Sequence, residues 1–223
     1  MPALKNDWIK VKTETGETFG GNQKNFDREF LQKSGCGVIA ATDIMLYLGK
    51  NHPKYSSDEF SCDKDTLTIE EYNVYAEKLW KKYLPVIPGH GMSGFVLALG
   101  MNVYFLRHRI PLFAWWAVRP RKLQRSIDTM LSQELPVIVS VGPNLPFFWK
   151  KKKLNLYVKE DGKYISANET RAHYMTIVGR EGRWIHLSSW GKEYYADGKE
   201  YLKFMTQYSN FLMNNILYLK KIK

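Results

Sequence analysis

In the first half of the chain, hydrophobic residues repeat with helical spacing. In residues 35–50, Val38, Ala41, Met45 and Leu48 form one hydrophobic face of a helix, and Ile39 and Leu46 make that face wider. Because a helix that is apolar nearly all round is a buried one, this segment predicts a central helix. Further helices are predicted for 68–84, which opens with the capping-box pattern Thr68-Ile-Glu-Glu71, and for 93–101 and 121–133.

In the second half, the pattern changes to short runs typical of β-strands. Residues 136–141 form a β-branched run, and residues 154–159 and 163–166 predict a hairpin around Glu160-Asp-Gly162. Further strands are predicted at 173–179, 183–190, 192–197 and 215–221. In the first half, a short strand is predicted at 7–12, and irregular structure is predicted for 13–35 and 51–67. Helices followed by antiparallel strands indicate an α+β fold. We expect one domain, 1–223, with a mainly helical lobe at about 20–134 and a mainly antiparallel β lobe at 135–223.

Composition narrows the class of protein. The chain has 223 residues, of which 44% are hydrophobic and 14% aromatic, which favours a globular core over disorder. The formal net charge of +11 favours anionic partners, or indicates only a basic soluble surface, since the lysines are scattered. Cys36 and Cys62, without a Cys-x-x-Cys motif, argue against a disulfide framework and fit a cytoplasmic protein. Residues 1–12 lack the apolar core of a signal peptide, and no stretch predicts a membrane span.

Cys36 is the first candidate for chemistry. It lies between Gly35 and Gly37 at the start of the predicted central helix. The free N–H groups and the positive dipole end of a helix stabilise a thiolate, and the glycines allow a substrate backbone to approach closely. A small buried cysteine packed in a glycine-rich turn explains the same pattern, so both interpretations remain open at this point.

A nucleophilic thiol needs a base, and His173 is the candidate among the five histidines. It opens a predicted strand after a polar loop, and Ser188-Ser-Trp-Gly191 ends the strand that follows. Asp43, two helical turns after Cys36, is interpreted as a structural anchor. No His, Cys, Asp and Glu cluster has the spacing of metal ligands, so neither a metal nor another cofactor is expected.

These motifs resemble those of papain-like cysteine peptidases, including bacterial relatives of the peptidase domains that cleave bacteriocin leaders. The matching stretches, in order along residues 20–195, are Gly20-Gly-Asn-Gln23, Gly35-Cys-Gly37, His173-Tyr-Met-Thr176 and Ser188-Ser-Trp-Gly191. The resemblance implies a papain-like fold in which a Cys-bearing helix packs on an antiparallel sheet or half-barrel.

The resemblance also implies residue roles. Cys36 matches the nucleophile, His173 the general base, and Gln23 the glutamine that forms an oxyanion hole with the Cys36 N–H. Trp190 matches the tryptophan that shields the histidine, and Gly35 and Gly37 would flank the cleft. Gln23 lies thirteen positions before Cys36, and Gln32 is nearer in sequence. Ser188 stands where the family has Asn or Asp, so the expected orienter of the imidazole is a short, uncharged hydroxyl.

The function expected from these residues is thiol-dependent hydrolysis of peptide bonds through an acyl-enzyme, with a peptide or protein as substrate. The alternatives are a catalytically silent papain-like module that binds a peptide, and a Cys-His acyltransferase. Phe147, Phe148 and Trp149 precede Lys150 to Lys153, and this run suits an anionic partner or forms an ordinary hairpin tip. Nucleic acid is the less favoured anionic partner.

Overall fold

The computed structural model describes residues 2–60, 64, 66–142 and 152–222. The helices within those residues are α1 (Glu29–Ser34), α2 (Cys36–Asn51), α3 (Ile69–Lys82), α4 (Gly94–Arg107), α5 (Leu123–Leu131) and α6 (Gly198–Lys203). Residues Gln23–Asn25 form a single 3₁₀ turn ahead of α1. Cys62 and Phe147, Phe148, Trp149, Lys150 and Lys151 lie outside the described residues.

The strands form two sheets. The smaller contains β1 (Lys10–Thr13), β2 (Gly16–Phe19) and β3 (Thr66–Thr68) in the order β2-β1-β3. The larger has the order β4-β11-β5-β8-β9-β10-β6-β7, and its paired neighbours are antiparallel. Its strands are β4 (Leu112–Trp116), β5 (Val137–Val141), β6 (Leu154–Glu160), β7 (Lys163–Thr170), β8 (His173–Glu181), β9 (Trp184–Ser189), β10 (Lys192–Asp197) and β11 (Ile216–Lys221).

Helix α2 lies at the centre because nearly all of its surface is apolar. Its residues from Gly37 to Leu48 are buried, and the helix packs against α3 on one side and β8 on another. One hydrophobic core includes side chains from both halves of the chain, such as Val38 of α2 and Ile177 of β8. The predicted α+β class with an antiparallel sheet is confirmed.

Local signals position several elements where the sequence predicts them. The Thr68 side chain accepts from the Glu71 backbone N–H while the Glu71 side chain accepts from that of Thr68, so α3 begins with the expected capping box. The β6–β7 hairpin turns at Asp161 and Gly162, with φ of 47° and 76°. Two successive positive φ values are the geometry that Asp-Gly favours in a two-residue hairpin loop.

Other elements differ from the sequence prediction. The stretches expected to be irregular contain β2, α1 and β3, and α4 continues to Arg107 instead of ending near Met101. Strand β4, from the helical half of the chain, pairs with β11, which lies inside the large sheet between β4 and β5. These strands form through long-range pairing, which local periodicity does not encode. In the described part of the chain, no helix is long and apolar enough to span a membrane.

Candidate active site

Cys36 is the first residue of α2, with Gly35 as its N-cap. Gly35 has no side chain to satisfy the free N–H groups of the first helical turn. The backbone N–H groups of Tyr174, Gly37 and Cys36 itself face the sulfur and lower the pKa of the thiol. Burial outweighs them, so the pKa of Cys36 is raised above its ordinary value. In this conformation the thiol is therefore protonated at neutral pH.

Tyr174 and Met92 cover the start of α2. A Cβ atom placed on Gly37 would lie 3.2 Å from Tyr174 Cδ2 and 3.5 Å from Met92 Cγ. The Tyr174 hydroxyl donates to the Met92 carbonyl oxygen at 3.1 Å, which ties the strand residue beside His173 to the segment before α4. A side chain at position 37 would be in ordinary contact with Met92 but would require Tyr174 to shift slightly.

His173 is the first residue of β8 and is held on two sides. Its Nε2 and the Ser189 Oγ are hydrogen-bonded at 2.8 Å, and its ring stacks on Trp190 with centroids 4.2 Å apart and planes 13° from parallel. The side chain is 7% exposed. Burial lowers the pKa of His173 to about 3, so the imidazole is neutral at physiological pH.

The structure places Ser189, and not Ser188, against the imidazole, which corrects the expected orienter. Thr176 pairs with Ser188 in the β8–β9 register, so these two share one face of the sheet. Each step along a strand changes the face, and therefore His173 and Ser189 lie together on the other face. The Ser188 hydroxyl instead donates to the Phe19 carbonyl oxygen at 2.8 Å. The sequence shows the alternation but not the register, which is why it indicated the wrong serine.

Gln23 is brought to the same place by the 3₁₀ turn before α1. It is buried and lines the cavity between Cys36 and His173. One N–H of its side-chain amide donates to the Gln32 carbonyl oxygen at 2.8 Å. The side chain of Gln32 turns away and donates to the Phe26 carbonyl oxygen at 2.6 Å. Of the two glutamines considered from sequence, Gln23 is the one that lines the cavity together with Cys36.

Asp43 anchors the turn that leads to Gln23. It is buried in α2, and its Oδ1 accepts from the Gly21 N–H at 3.0 Å and from the Tyr72 hydroxyl at 2.6 Å. Burial raises the pKa of Asp43 to about 7, although these two hydrogen bonds oppose that rise. A Cβ atom on Gly20 would lie 2.7 Å from Asp43 Oδ2, so the backbone at this turn comes very close to the carboxyl group.

Cys36, His173, Gln23, Ser189 and Trp190 line one narrow cavity. The space in it that is open to a water molecule is about 10 Å³, or roughly one water. Among the described contacts the imidazole is hydrogen-bonded to Ser189 and not to the thiol. Cys36 is partly exposed to solvent, whereas the space between the neutral thiol and the neutral imidazole has room for only about one water.

Other candidate features lie away from this cavity. Lys153 forms an ion pair with Glu169, and the Lys152 ammonium lies 5.7 Å from the centre of the Tyr208 ring. In the ranges that the structure covers, no group of three or more His, Cys, Asp or Glu side chains is arranged to hold a metal ion.

The chain was also compared with known proteins. No protein-family model matches its sequence, and no curated protein matches it.

Proposed function

We propose that the protein is a thiol-dependent hydrolase that cleaves peptide bonds through an acyl-enzyme. The observation that carries the proposal is the convergence of Cys36, His173 and Gln23 on one cavity. These residues lie on α2, on β8 and on the turn before α1, and so are far apart in sequence. A cysteine at a helix N-terminus, a histidine and an amide donor are the groups that thiol acyl transfer requires.

In the proposed reaction His173 takes the proton of the Cys36 thiol as the sulfur attacks the carbonyl carbon of the scissile bond. The backbone N–H of Cys36 and the side-chain amide of Gln23 donate to the oxygen that becomes negative. His173 returns the proton to the leaving amine as the C–N bond breaks. Water, deprotonated by the same imidazole, then releases the acyl group from sulfur.

Ser189 and Trp190 support this role of His173. The Ser189 hydroxyl at 2.8 Å from Nε2 and the indole stacked on the ring restrict its orientation. A peptide needs far more room than one water, so substrate binding has to displace side chains around the cavity, although Cys36 itself is partly exposed. Met92 and Tyr174 are the ones packed against Gly37. Opening would also rehydrate the thiol and the imidazole, which brings both pKa values towards their ordinary ranges.

A second candidate function is a catalytically silent module that binds a peptide in the same cleft. The observation that favours it is that the His173 imidazole is hydrogen-bonded to an uncharged group, the Ser189 hydroxyl. A neutral hydroxyl does not stabilise an imidazolium as a carboxylate does. Burial also raises the pKa of the Cys36 thiol.

Thiol labelling separates the two functions. In a Cys62→Ser background, Cys36 would be alkylated with iodoacetamide at neutral pH, and the modified peptide quantified by mass spectrometry. If His173 activates the thiol, His173→Ala lowers the labelling rate at least about tenfold. His186→Ala is the matched control, since His186 lies on β9 outside the cavity. Equal rates in all three proteins would contradict an activated Cys-His pair.

Peptide cleavage provides the second test. Incubation with a mixed peptide library, followed by mass spectrometry, should yield fragments that Cys36→Ser no longer produces. Products in which an acyl group is joined to an added amine would indicate acyl transfer. Peptide binding with no fragments from the wild-type protein, together with labelling that is insensitive to His173→Ala, would establish the silent module instead.

A further inference from the structure

Helix α4 presents a row of large hydrophobic side chains to solvent. Leu106 is 83% exposed and Leu99 is 65% exposed, and Phe95 and Val103 are exposed beside them. Each of these residues is three or four positions from the next, so all four lie on one side of the helix. The opposite side is buried in the core through Leu97, Met101, Tyr104 and Phe105. The helix is therefore apolar on both sides, although only one side has a partner in the described structure.

Strand β4 extends the same exposed surface. Its side chains alternate, with Leu112, Ala114 and Trp116 buried while Phe113 and Trp115 face outwards, and Trp115 is 60% exposed. We call the set Phe95, Leu99, Val103, Leu106, Phe113 and Trp115 the α4/β4 face.

Asn102 joins the helix to the strand. Its side-chain amide donates to the Ala114 carbonyl oxygen at 2.8 Å and accepts from the Ala114 N–H at 2.7 Å. Helix α4 thus lies along the outer edge of β4, with Leu99 and Leu106 next to Asn102 on the helix surface. Because Asn102 occupies the free backbone groups of Ala114, a strand of a second copy cannot pair there.

The charge around the α4/β4 face is mostly positive, with Glu59, which lies 3.3 Å from His108 at the end of α4, as an acidic exception. Residues 78–127, which include α4 and β4, contain nine Lys and Arg residues and no Asp or Glu. Exposed Arg107 is the last residue of α4 and exposed Arg109 follows it, and exposed Lys220 pairs with Phe113 across the β4–β11 register. The whole chain carries a formal charge of +11. A partner of this face must therefore be apolar where it meets the row of hydrophobic side chains and anionic around it.

We infer that the α4/β4 face docks the protein on the surface of an anionic lipid bilayer. The hydrophobic side chains would enter the boundary between headgroups and acyl chains, with Arg107, Arg109 and Lys220 at the level of the lipid phosphates. Helix α4 has 14 residues, whereas a membrane-spanning helix needs about 20, so it lies on the bilayer. A bilayer fits a projecting helix and strand without a matched shape, whereas a protein partner would need a complementary acidic and apolar groove.

Vesicle co-sedimentation tests this inference on the full chain. Wild-type protein should sediment with vesicles of phosphatidylcholine and phosphatidylglycerol, and at least about tenfold less with phosphatidylcholine alone. Raising the salt from about 0.1 to about 1 M should release it, since the Debye length falls from about 10 to about 3 Å. Leu99→Glu/Leu106→Glu should reduce partitioning at least about tenfold, and Arg107→Gln/Arg109→Gln should reduce it on anionic vesicles.

The matched controls are Val74→Glu on α3 and Ile165→Glu on β7, which change exposed hydrophobic residues outside the α4/β4 face. Both should partition like the wild type, and circular dichroism should show that every variant is folded. The inference is overturned if wild-type protein ignores anionic vesicles, or if the double Leu variant binds them as well as wild type does. A third result would also overturn it. If sedimentation velocity shows that the wild-type protein is a dimer and the double Leu variant a monomer, and neither binds vesicles, the α4/β4 face joins two copies of the chain.

Discussion

His173 Nε2 lies 2.8 Å from the hydroxyl oxygen of Ser189. This contact, with the stacked Trp190 ring, is what holds a desolvated imidazole in one orientation beside Cys36. The contribution of this hydrogen bond to the proposed reaction can be measured. The adjacent Ser188 is a suitable control, because it is the same residue type and is bonded to the Phe19 carbonyl oxygen instead.

We expect Ser189→Ala to impair the site more than Ser188→Ala. Removing the Ser189 hydroxyl frees the His173 ring and leaves Nε2 without its partner, so Cys36 labelling and peptide cleavage should fall, by about tenfold. Ser188→Ala removes the donor to the Phe19 carbonyl oxygen and should cost about 1–3 kcal/mol of stability with little change in labelling. Labelling rates and urea denaturation distinguish these outcomes. A larger loss of labelling in Ser188→Ala would assign the positioning role to Ser188.

The buried His173 should weaken the fold in acid. Its pKa is about 3 in the folded protein, against 6.5 ordinarily, so between these values only the unfolded chain takes up the proton. Stability is fully present above about pH 6.5 and is lost progressively as the pH falls towards about 3. Relative to His173→Gln, wild-type protein should lose about 2–3 kcal/mol between about pH 7 and 4.5. Urea denaturation at both pH values measures the difference, and a constant difference would mean that His173 titrates normally.

The buried Asp43 should weaken the fold as the pH rises, which is the opposite of the effect of His173. Its pKa is about 7 in the folded protein, against 3.8 ordinarily, so its contribution is present below about pH 3.8 and is lost as the pH rises to about 7. Relative to Asp43→Asn, which keeps an acceptor for Gly21 and Tyr72, wild-type protein should lose about 3 kcal/mol between about pH 4 and 7.

The pH windows of Asp43 and His173 overlap, and their effects on stability oppose each other. The pH dependence of wild-type stability therefore does not reveal either effect by itself. The His173→Gln and Asp43→Asn variants have to be measured separately. If Asp43→Asn and wild type change in parallel from about pH 4 to 7, the carboxyl group is ionised throughout and the predicted shift is absent.

The Gly20–Gly21 turn should tolerate no side chain at position 21. A Cβ atom on Gly21 would lie 2.2 Å from the Tyr72 hydroxyl oxygen, the group that donates to Asp43. Gly21→Ala should therefore destabilise the protein by about 1–3 kcal/mol or more, and should lower Cys36 labelling by moving Gln23. Gly162→Ala is the control, because Gly162 has φ +76° and nothing within 4 Å of its Cβ position. It should cost about 1–2 kcal/mol through its backbone alone and leave labelling unchanged.

The elements that depend only on neighbouring residues could be predicted from the sequence. The all-round apolar repeat specified α2, the Thr68–Glu71 pattern specified the start of α3, and Asp161-Gly162 specified the β6–β7 turn. Each signal acts within about one helical turn or one hairpin loop, so the local sequence contains all that it needs. Cys36 at the start of a buried helix and His173 at the start of a strand follow from the same local patterns.

Which of these residues lie together depends on contacts between distant parts of the chain. Ser189 replaced Ser188 beside His173 because strand register depends on the partner strand. Gln23 reached the cavity because Asp43, far along the chain, holds the turn before it. The α4 row of Phe95, Leu99, Val103 and Leu106 lies on the surface. The opposite side of α4 is buried in the core, and a helix can bury both of its sides only when a second partner covers it.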